Sequence, residues 1–544
     1  MSRLQSFLNP DSDAFLRQRA VMLERIAELR ALEARAAAAS TKAQPLFLKR
    51  KQLLPRERVN RLLDPGAPWL ELSSLAGFGI DRNDSARSIP GAGVITGIGV
   101  ISGTHCVVSA SDSGIDAGAI QPMGREKIER AQTIALENAL PFVQLIESAG
   151  ANLMRYRVED FIHGGRLFYN LARLSAAGIP VISVVHGSST AGGAYLPGLS
   201  DYVIMVKDRA RAFLAGPPLL RAATGEVATD EELGGAHMHT HVSGLGEYLA
   251  RDDDEALRIA RELIAQLDFD RAFAQWPAAL ADETRLAPLY SPDELAGVMP
   301  TDFRTPIDMR EVIARVVDSS DFLEFKPDYG SATVCGHAAI GTRRIGIITN
   351  NGPIDPAGSQ KATHFIQACC QSGQALLYLQ NTTGYIVGKA SEQAGMIKHG
   401  SKMIQAVSNA NVPSVTIHCG ASFGAGNYGM AGRAFGPRFV FSWPNARTAV
   451  MGGEQAARTM RIVTEAAAQR KGEPVNEQAL AALESSIIET FEHQAGVLYT
   501  SARLLDDGVI DPRDTRRVLA FVFDLCARAD SRTLRPVQFG VARP

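Results

Sequence analysis

An internal duplication limits the possible folds of this chain more than any other feature of its sequence. Residues 181–200 read VISVVHGSSTAGGAYLPGLS, and residues 413–429 read PSVTIHCGASFGAGNYG. In each copy an apolar run rich in β-branched residues is followed by a turn that contains glycines. This pattern is typical of a strand that leads into a tight loop with an exposed backbone. The sequence therefore predicts one strand-and-turn unit that is built twice.

The similarity extends upstream of both copies. Two further pairs of segments match in the same order, namely 142–153 with 375–388 and 103–113 with 341–351. The spacing of corresponding glycines agrees as well, at 37 residues from Gly150 to Gly187 and 36 residues from Gly384 to Gly420. Collinear repeats with matched spacing predict two similar domains.

Length and composition agree with two domains of an ordinary globular protein. At 544 residues the chain exceeds the usual size of a single core, and the repeat places the domains at residues 1–285 and 286–544. Hydrophobic residues make up 46% of the chain and its formal net charge is −2, a balance that favours neither nucleic acid nor an anionic membrane as a partner. No apolar run reaches the ~20 residues of a membrane span, and the N-terminus is unlike a targeting peptide. We therefore expect a cytoplasmic protein.

The six cysteines are scattered and contain no CxxC pair. This pattern predicts neither a zinc ribbon nor a disulfide framework. We expect reduced, mostly buried thiols and no metal site in this chain.

Hydrophobic periodicity alternates between strand and helix in the first half of the chain. It predicts helices at 11–39, 125–138 and 164–177, and strands at 141–146 and 180–185. The βαβ order predicts an α/β fold with a parallel sheet, in which ligands bind beyond the carboxyl ends of the strands.

Two groups of basic residues have an ambiguous role. One is a predicted short helix within residues 49–66, and the other is formed by Arg125, Lys127 and Arg130. Both are expected on solvated surfaces, with binding of a phosphorylated ligand as the alternative.

The glycine turns are the candidate site. Gly192 and Gly193 stand where a helix should begin, so their N–H groups lack intrahelical partners and can bind an oxyanion. Valine at Gly193 or Gly426 is expected to block that approach with its β-branched side chain while leaving the fold largely intact. The alternative is that these glycines only permit close packing of strand and helix.

Other motifs in the same region are incomplete. GASFG at 420–424 fits the GxSxG of serine hydrolases, but a Ser422 nucleophile needs a later histidine, and only His493 follows, within a predicted helix. GAGNYG at 424–429 matches GxGxxG, but the first acidic residue after it is Glu454, and such a dinucleotide site needs an acid at the end of a second strand. What remains is a duplicated site of backbone amides without an obvious base, nucleophile or metal.

Four long motifs resemble the carboxyltransferase β subunits of biotin-dependent acyl-CoA carboxylases. They are SSTAGGAYLPGLSD at 188–201, FLAGPPLLRAATGE at 213–226, FGAGNYGMAGRAFGPRF at 423–439 and WPNARTAVMGGEQAA at 443–457. The likeness is collinear from about residue 45 onward and is strongest to the methylcrotonyl-CoA and geranyl-CoA carboxylase branch. It implies an α/β fold of two tandem crotonase-like domains, each a ββα superhelix whose turns supply an oxyanion hole.

The resemblance also implies roles for the repeated turns. The acyl-CoA thioester oxygen is expected at the N–H groups of Ala151, Gly192 and Gly193 in the first domain. The ureido oxygen of biotin is expected at those of Tyr385, Ala425 and Gly426 in the second. Neighbouring residues are expected to line the substrate sites, namely Gly150, Gly164, Ala191, Phe423 and Gly424. No protein base is required, because biotin provides the base once its carboxyl group has left.

The family's biotinyl-lysine motif and ATP-grasp domain are not found in these 544 residues. The resemblance therefore implies a separate α subunit that carries biotin and the biotin carboxylase, with coenzyme A present only as part of the substrate. A β hexamer within a larger αβ assembly is expected on the same grounds. A different class of function stays open, in which the chain is an idle scaffold that binds acyl-CoA or organises the α subunit.

One departure from the family pattern bears on the substrate. Methylcrotonyl-CoA carboxylases read His-Phe-Gly-Arg where this chain has His163-Gly164-Gly165-Arg166. Loss of the phenylalanine ring at Gly164, close to the predicted start of a helix, is expected to open space for a longer acyl tail. This favours geranyl-CoA over methylcrotonyl-CoA, unless Gly164 is only a helix cap and a neighbouring side chain refills the gap.

Overall fold

The computed structural model describes residues 3–80, 86–148, 157–270, 273, 286–471 and 474–537. These residues form two compact units. The N-terminal unit comprises Arg30–Trp276, Ala502–Leu504 and Leu525–Pro544, and the C-terminal unit comprises Met1–Leu29, Pro277–Ser501 and Leu505–Asp524. The main change of unit lies near the predicted boundary at 285, but segments from both ends of the chain belong to the opposite half. Residues before 30 do so because Phe15, Met22 and Ile26 pack in the C-terminal unit, against Gly297 and Ala296.

The N-terminal unit is built on an eight-stranded sheet. Its strands are β1 Trp69–Leu72, β2 Val94–Ile101, β3 Thr104–Ser111, β4 Phe142–Ser148, β5 Val181–Thr190, β6 Tyr202–Val206, β7 Arg211–Phe213 and β8 Tyr248–Ala250. The order is β1-β2-β3-β4-β5-β6-β8, and β7 pairs with β5. β3 to β6 are parallel neighbours, as the βαβ pattern predicted.

The C-terminal unit repeats this plan in a seven-stranded sheet. Its strands are β9 Leu323–Glu324, β10 Thr333–Ile340, β11 Arg343–Asn350, β12 Ala375–Thr382, β13 Ser414–Phe423, β14 Phe439–Ser442 and β15 Arg447–Ala449. The order is β14-β13-β12-β11-β10-β9, and β15 pairs with β13. The antiparallel pair β10–β11 followed by the parallel β12 and β13 matches β2 to β5.

Helices cover the two sheets. The longer ones are Asp13–Thr41, Pro55–Leu62, Pro122–Glu137, Val158–Ala176, Pro217–Thr224, Asp253–Leu267, Pro356–Gln371, Met396–Ser408, Gly453–Lys471, Glu477–Ala495 and Thr515–Ser531. Apolar side chains of Pro356–Gln371 and Met396–Ser408, including Phe365, Ile366, Met403 and Val407, pack with Leu376 and Tyr378 of β12 in the core of the C-terminal unit. All six cysteines are free thiols, five of them buried and Cys370 half-buried, as predicted.

Two predictions about local structure were wrong. The helix expected at 164–177 begins at Val158, with Glu159 and Asp160 in its first turn, because acidic residues at a helix start outweigh the breaking tendency of two glycines. Gly164 is therefore inside the helix and does not cap it.

The basic residues expected at the surface are partly buried. Lys127 is 2% exposed, and its Nζ donates to the Val94 and Gly91 carbonyls at 2.6 and 3.4 Å. Arg58, in the helix Pro55–Leu62, is also 2% exposed because it binds two carboxylates in the interior. The charge pattern alone did not distinguish these cations from solvated ones.

Candidate functional site

The two glycine turns begin with the same left-handed backbone conformation. β5 ends at Thr190, and Ala191, the first residue of the 3₁₀ turn that precedes the helix Tyr195–Gly198, has a φ of 54°. β13 ends at Phe423, and Gly424 takes a φ of 55° before the helix Gly426–Gly429. Left-handed backbone is unfavourable for a residue with a Cβ, so its presence at Ala191 indicates that the surrounding structure imposes this turn.

In the N-terminal unit the turn leaves backbone donors at its start. The first N–H groups of a helical turn have no partner within that turn, and here they belong to Ala191, Gly192 and Gly193. The Ser189 hydroxyl donates to the Gly193 carbonyl at 2.8 Å and holds the turn closed. Among the described residues, a Cβ placed on Gly193 would meet only Ser189 Oγ, at 3.6 Å, so no described side chain blocks the space beside this donor.

In the C-terminal unit two backbone segments approach each other closely. A Cβ on Gly426 would lie 2.8 Å from Gly384 Cα and 3.0 Å from Thr382 Cγ2. Gly426 therefore has to be glycine for the turn to pack on the end of β12. A valine at Gly426 would therefore have to displace the backbone at Gly384, whereas no described residue crowds a side chain at Gly193.

The same packing brings Tyr385 to the turn. Ile354 and Tyr385 form a parallel bridge. The Ile354 N–H donates to the Gly384 carbonyl at 3.0 Å, and the Ile354 carbonyl accepts from the Ile386 N–H at 2.9 Å. The N–H of Tyr385, which lies between these two residues, therefore faces away from Ile354. The Tyr385 hydroxyl donates to the Gly400 carbonyl at 3.3 Å, which anchors the residue. The N–H groups of Tyr385, Ala425 and Gly426 therefore come from adjoining backbone segments.

A repeated irregularity of the sheet positions both turns. Between Ile146 and Ser148 the register of β5 on β4 advances from Val185 to Ser189, and between Gln380 and Thr382 that of β13 on β12 advances from His418 to Ser422. Such bulges re-aim the end of a strand. The side chain at the centre of each bulge packs directly on a glycine of the neighbouring strand. Glu147 Oε1 lies 2.7 Å from a Cβ built on Gly187, and Asn381 Oδ1 lies 2.5 Å from a Cβ built on Gly420.

Glu147 belongs to a buried ionic cluster beneath the first turn. Arg58 donates from Nη1 to Glu147 Oε2 at 2.6 Å and from Nε to Asp253 Oδ2 at 3.0 Å. His186 Nδ1 lies 2.8 Å from Asp253 Oδ1. Gln52 donates to Glu147 Oε1 at 3.2 Å and to the His186 carbonyl at 2.9 Å. Because Glu147 and His186 are close to the ends of β4 and β5, the cluster fixes the relative position of these strand ends.

The ionisation of the cluster follows from its partners. Burial alone would raise the pKa of Glu147, but the Arg58 guanidinium and its hydrogen bonds hold that pKa below its usual value. Burial would likewise raise the pKa of Asp253, which His186 and Arg58 instead keep far below its usual range. Burial, and then Arg58, lower the pKa of His186. The cluster is thus one cation between two carboxylates, with a neutral imidazole.

The remaining predicted site residues are distributed as follows. Gly150 and Ala151 lie outside the described residues. Phe423 is 3% exposed, and its ring packs edge-on against Phe303 at 5.2 Å, so only its backbone is available to a ligand. Gly164 lies one helical turn before Phe168, whose ring reaches to within 3.8 Å of a Cβ on Gly192. Sequence reasoning missed the Arg58 cluster, because no local pattern connects residues so distant along the chain.

The serine of the GxSxG motif is not arranged as a nucleophile. Ser422 is fully buried; its hydroxyl donates to Gln380 Oε1 and accepts from Asn427 Nδ2 at 2.7 Å. The ring of His493 instead packs on Tyr499. The described residues therefore contain a structural serine here, and the site consists of backbone donors suited to a developing oxyanion.

Comparison with known proteins identifies the family. A model of the carboxyl transferase domain matches residues 48–537. The chain belongs to the carboxyl transferase family. It is a β subunit of the methylcrotonyl-CoA and geranyl-CoA carboxylase type, and the predicted α/β class with two tandem crotonase-like domains is confirmed.

Individual carboxyltransferase relatives cover nearly the whole chain. It is 47% identical over 542 residues to the "Probable biotin-dependent acyl-coenzyme A carboxylase beta2 subunit" of Mycobacterium tuberculosis, covering 99% of this chain and 100% of that protein. It is 45% identical over 514 residues to the biotin-dependent 3-methylcrotonyl-coenzyme A carboxylase beta1 subunit of the same organism, covering 94% and 95%. The crystal structure of the β subunit of geranyl-CoA carboxylase from P. aeruginosa is 51% identical, with a TM-score of 0.92 and coverage of 99% and 100%.

The described residues contain neither a membrane-spanning helix nor a cluster of metal ligands. None of the helices there is long and apolar enough to span a membrane. Within the same ranges, no group of three or more histidine, cysteine or acidic side chains is arranged to hold a metal ion.

Proposed function

We propose that this β subunit transfers CO₂ from carboxybiotin, held by a separate α subunit, to a branched enoyl-CoA, with geranyl-CoA as the preferred substrate. The duplicated turn carries this proposal, because two sets of backbone donors suit the two oxygens that gain charge during the transfer. The N-terminal unit is assigned to acyl-CoA and the C-terminal unit to biotin.

On the acyl-CoA side, Gly192 and Gly193 are proposed to donate to the thioester oxygen together with Ala151. Their hydrogen bonds strengthen as the enolate forms, so they lower the barrier to proton removal and not merely the energy of the bound substrate. The Arg58 cluster holds the ends of β4 and β5 in place, so the donors need no rearrangement during the reaction.

On the biotin side, the described residues fit a ureido oxygen. The Tyr385 N–H faces away from its strand partner Ile354, and the N–H groups of Ala425 and Gly426 open the following turn. Biotin supplies the carboxyl group and, after its release, the base. The role of this chain is to bind the ureido oxygen and to orient the two reactants, and we assign no protein base.

The preference for geranyl-CoA is supported by the surroundings of Gly164. A Cβ at this position would meet only Arg125 Cδ, at 3.9 Å, so no described side chain has refilled the space. Gly164 and Phe168 are four residues apart and share a helix face, and Phe168 borders Gly192. An acyl tail that leaves the first turn along this face would therefore pass Gly164, and each buried methylene would contribute about 0.8 kcal/mol.

The test is a substrate comparison with the α subunit supplied. We expect wild type to use geranyl-CoA well, and Gly164→Phe to lower kcat/KM for geranyl-CoA by about 10- to 100-fold while changing that for methylcrotonyl-CoA less than about threefold. Gly165→Phe is the matched control, because a Cβ there meets no atom of the described residues within 4 Å.

The outcomes separate the alternatives. If wild type ignores geranyl-CoA, or if Gly164→Phe uses it equally well, the chain is better assigned as a methylcrotonyl-CoA carboxylase β subunit. Absence of transfer to either substrate in the presence of a loaded α subunit would favour an acyl-CoA-binding scaffold. We further propose a β hexamer, on the resemblance to family members, and a cytoplasmic location.

A further inference from the structure

A cavity in the C-terminal unit lies beside the second bulge. Its volume is about 270 Å³, and its walls include Asn381 and Gly420 of the bulge together with Arg25, Asn445 and Arg447. That volume is room for several water molecules, since each takes about 30 Å³ in the liquid. The cavity is therefore large enough for a small solute accompanied by water.

The corresponding place in the N-terminal unit is filled by protein. There Glu147 crosses Gly187 and ends in an ion pair with Arg58 at 2.6 Å. In the C-terminal unit Asn381 crosses Gly420 in the same way, but it is an uncharged amide and carries no carboxylate to the neighbouring cations. The centre of one bulge thus carries a carboxylate, whereas the centre of the other carries an amide beside a cavity whose wall contains Arg25, Arg304, Arg447 and Asp302.

The cations around the cavity differ in how they are neutralised. Arg447 forms an ion pair with Glu492, and Arg304 pairs with Asp302 and Glu454 at 3.0 and 3.2 Å. Arg25 forms no hydrogen bond or ion pair with any residue that the structure describes. Burial and then the charge of Arg447 lower the pKa of Arg25, and Glu28 and Glu24 of the same helix raise it by less; a further negative charge in the cavity would favour the charged form of Arg25.

The cavity also offers a hydrogen-bond acceptor. Asn445 donates from Nδ2 to the Cys419 carbonyl at 2.9 Å, which leaves its buried Oδ1 without a partner in the described residues. A buried acceptor without a partner is costly unless a bound group donates to it. An occupant that carries both a negative oxygen and a hydroxyl would satisfy Arg25 and Asn445 together.

We propose that this cavity binds a small hydroxyl-bearing oxyanion, of the kind represented by bicarbonate or hydrogenphosphate, beside Asn381, the residue that corresponds to Glu147 of the other repeat. The site is connected to the second turn through its own wall. Phe303, in that wall, packs on Phe423 at 5.2 Å, one residue before the left-handed Gly424. Binding is therefore expected to stabilise the C-terminal unit and the turn that follows β13.

The test measures anion binding to the full chain without substrate, so it does not depend on the proposed activity. Calorimetric titration and thermal unfolding are carried out with bicarbonate, hydrogenphosphate, sulfate and chloride at matched pH and ionic strength. Bicarbonate or hydrogenphosphate is expected to bind in the millimolar range and to raise the unfolding midpoint by on the order of 1–2 °C near saturation. Sulfate, which has no hydroxyl at neutral pH, is expected to bind several-fold more weakly.

Variants locate the site. Arg25→Met is expected to abolish the response, and Arg17→Met, an exposed residue of the same helix, to retain it. Asn381→Asp builds a carboxylate into the cavity and is expected to raise the midpoint in chloride while removing the response to added anion. The proposal is overturned if no anion binds, if Arg25→Met responds like wild type, or if Asn381→Asp keeps the full response. Equal binding of sulfate and hydrogenphosphate would overturn the role given to Asn445.

Discussion

Replacing Arg58 by Met removes a cation that two buried carboxylates share. Glu147 and Asp253 are 7% and 3% exposed, and in wild type they lie 2.6 and 3.0 Å from the guanidinium. Breaking a buried ion pair from one side costs about 3–5 kcal/mol, because the remaining charge is left unpaired. We expect a loss of that size in the free energy of unfolding at about pH 7.5, where both carboxylates are ionised in the unfolded chain.

The loss should depend on pH in a defined direction. In wild type the pKa values of Glu147 and Asp253 are lowered, so their stabilisation is fully present above the unfolded pKa values and is lost only in strong acid. Without Arg58, burial raises the pKa of Glu147, and the pKa of His186 rises because a neighbouring cation is gone while Asp253 stays beside it. The penalty is relieved as these groups take up protons. The destabilisation should therefore shrink between about pH 7.5 and pH 5.5.

The assay is urea unfolding of wild type and variant at both pH values. Arg61→Met is the matched control, because Arg61 lies in the same helix, pairs at the surface with Glu57 and Asp254, and is half exposed; its loss should cost less than about 1 kcal/mol. A destabilisation by Arg58→Met that is below 1 kcal/mol, or that is equal at both pH values, would refute the reasoning.

Three further outcomes are expected. Gly426→Ala should lower the free energy of unfolding by about 1–3 kcal/mol, measured by urea unfolding, because its methyl group would lie 2.8 Å from Gly384 Cα; unchanged stability would contradict the packing described. Burial lowers the pKa of Lys127 to about 8, so above that pH the unfolded chain binds more protons than the folded one, and the free energy of unfolding should rise from pH 8 toward pH 10. Lys127→Met should remove about 1–3 kcal/mol of that rise. A variant whose free energy of unfolding follows the wild-type curve over this pH range would contradict the lowered pKa. The 544-residue chain alone should not fix bicarbonate with ATP, and ATP-dependent incorporation of labelled bicarbonate into acyl-CoA would disprove the need for an α subunit.

The features repeated along the sequence were predictable. The apolar runs at 181–185 and 413–419 and their glycine turns led to the two parallel sheets, because a strand that enters a turn leaves a local pattern. The buried cluster of Arg58, Glu147 and Asp253 was not predictable, since its members are distant in sequence and each looks like an ordinary surface charge. Gly164–Gly165 misled the placement of a helix start because acidic residues earlier in the segment initiate the helix.

The positions of backbone donors also needed the structure. Gly193 and Gly426 look alike in sequence, but among the described residues only Gly426 is in close contact with neighbouring backbone. The bulges at Glu147 and Asn381 have no sequence signature of their own, and they decide which side chain lies behind each turn.

The effect of Gly193→Ala on carboxyl transfer tests the central claim, that backbone donors of the first turn activate the acyl-CoA. Among the residues that the structure describes, the added methyl group would contact only Ser189 Oγ, at 3.6 Å, and it would obstruct the thioester oxygen; the thermal unfolding midpoint checks that the variant is folded. With the α subunit supplied, kcat should fall by on the order of 100-fold or more, whereas Gly198→Ala, whose Cβ meets no described atom within 4 Å, should behave like wild type. Transfer by a folded Gly193→Ala chain at the wild-type rate would contradict the account.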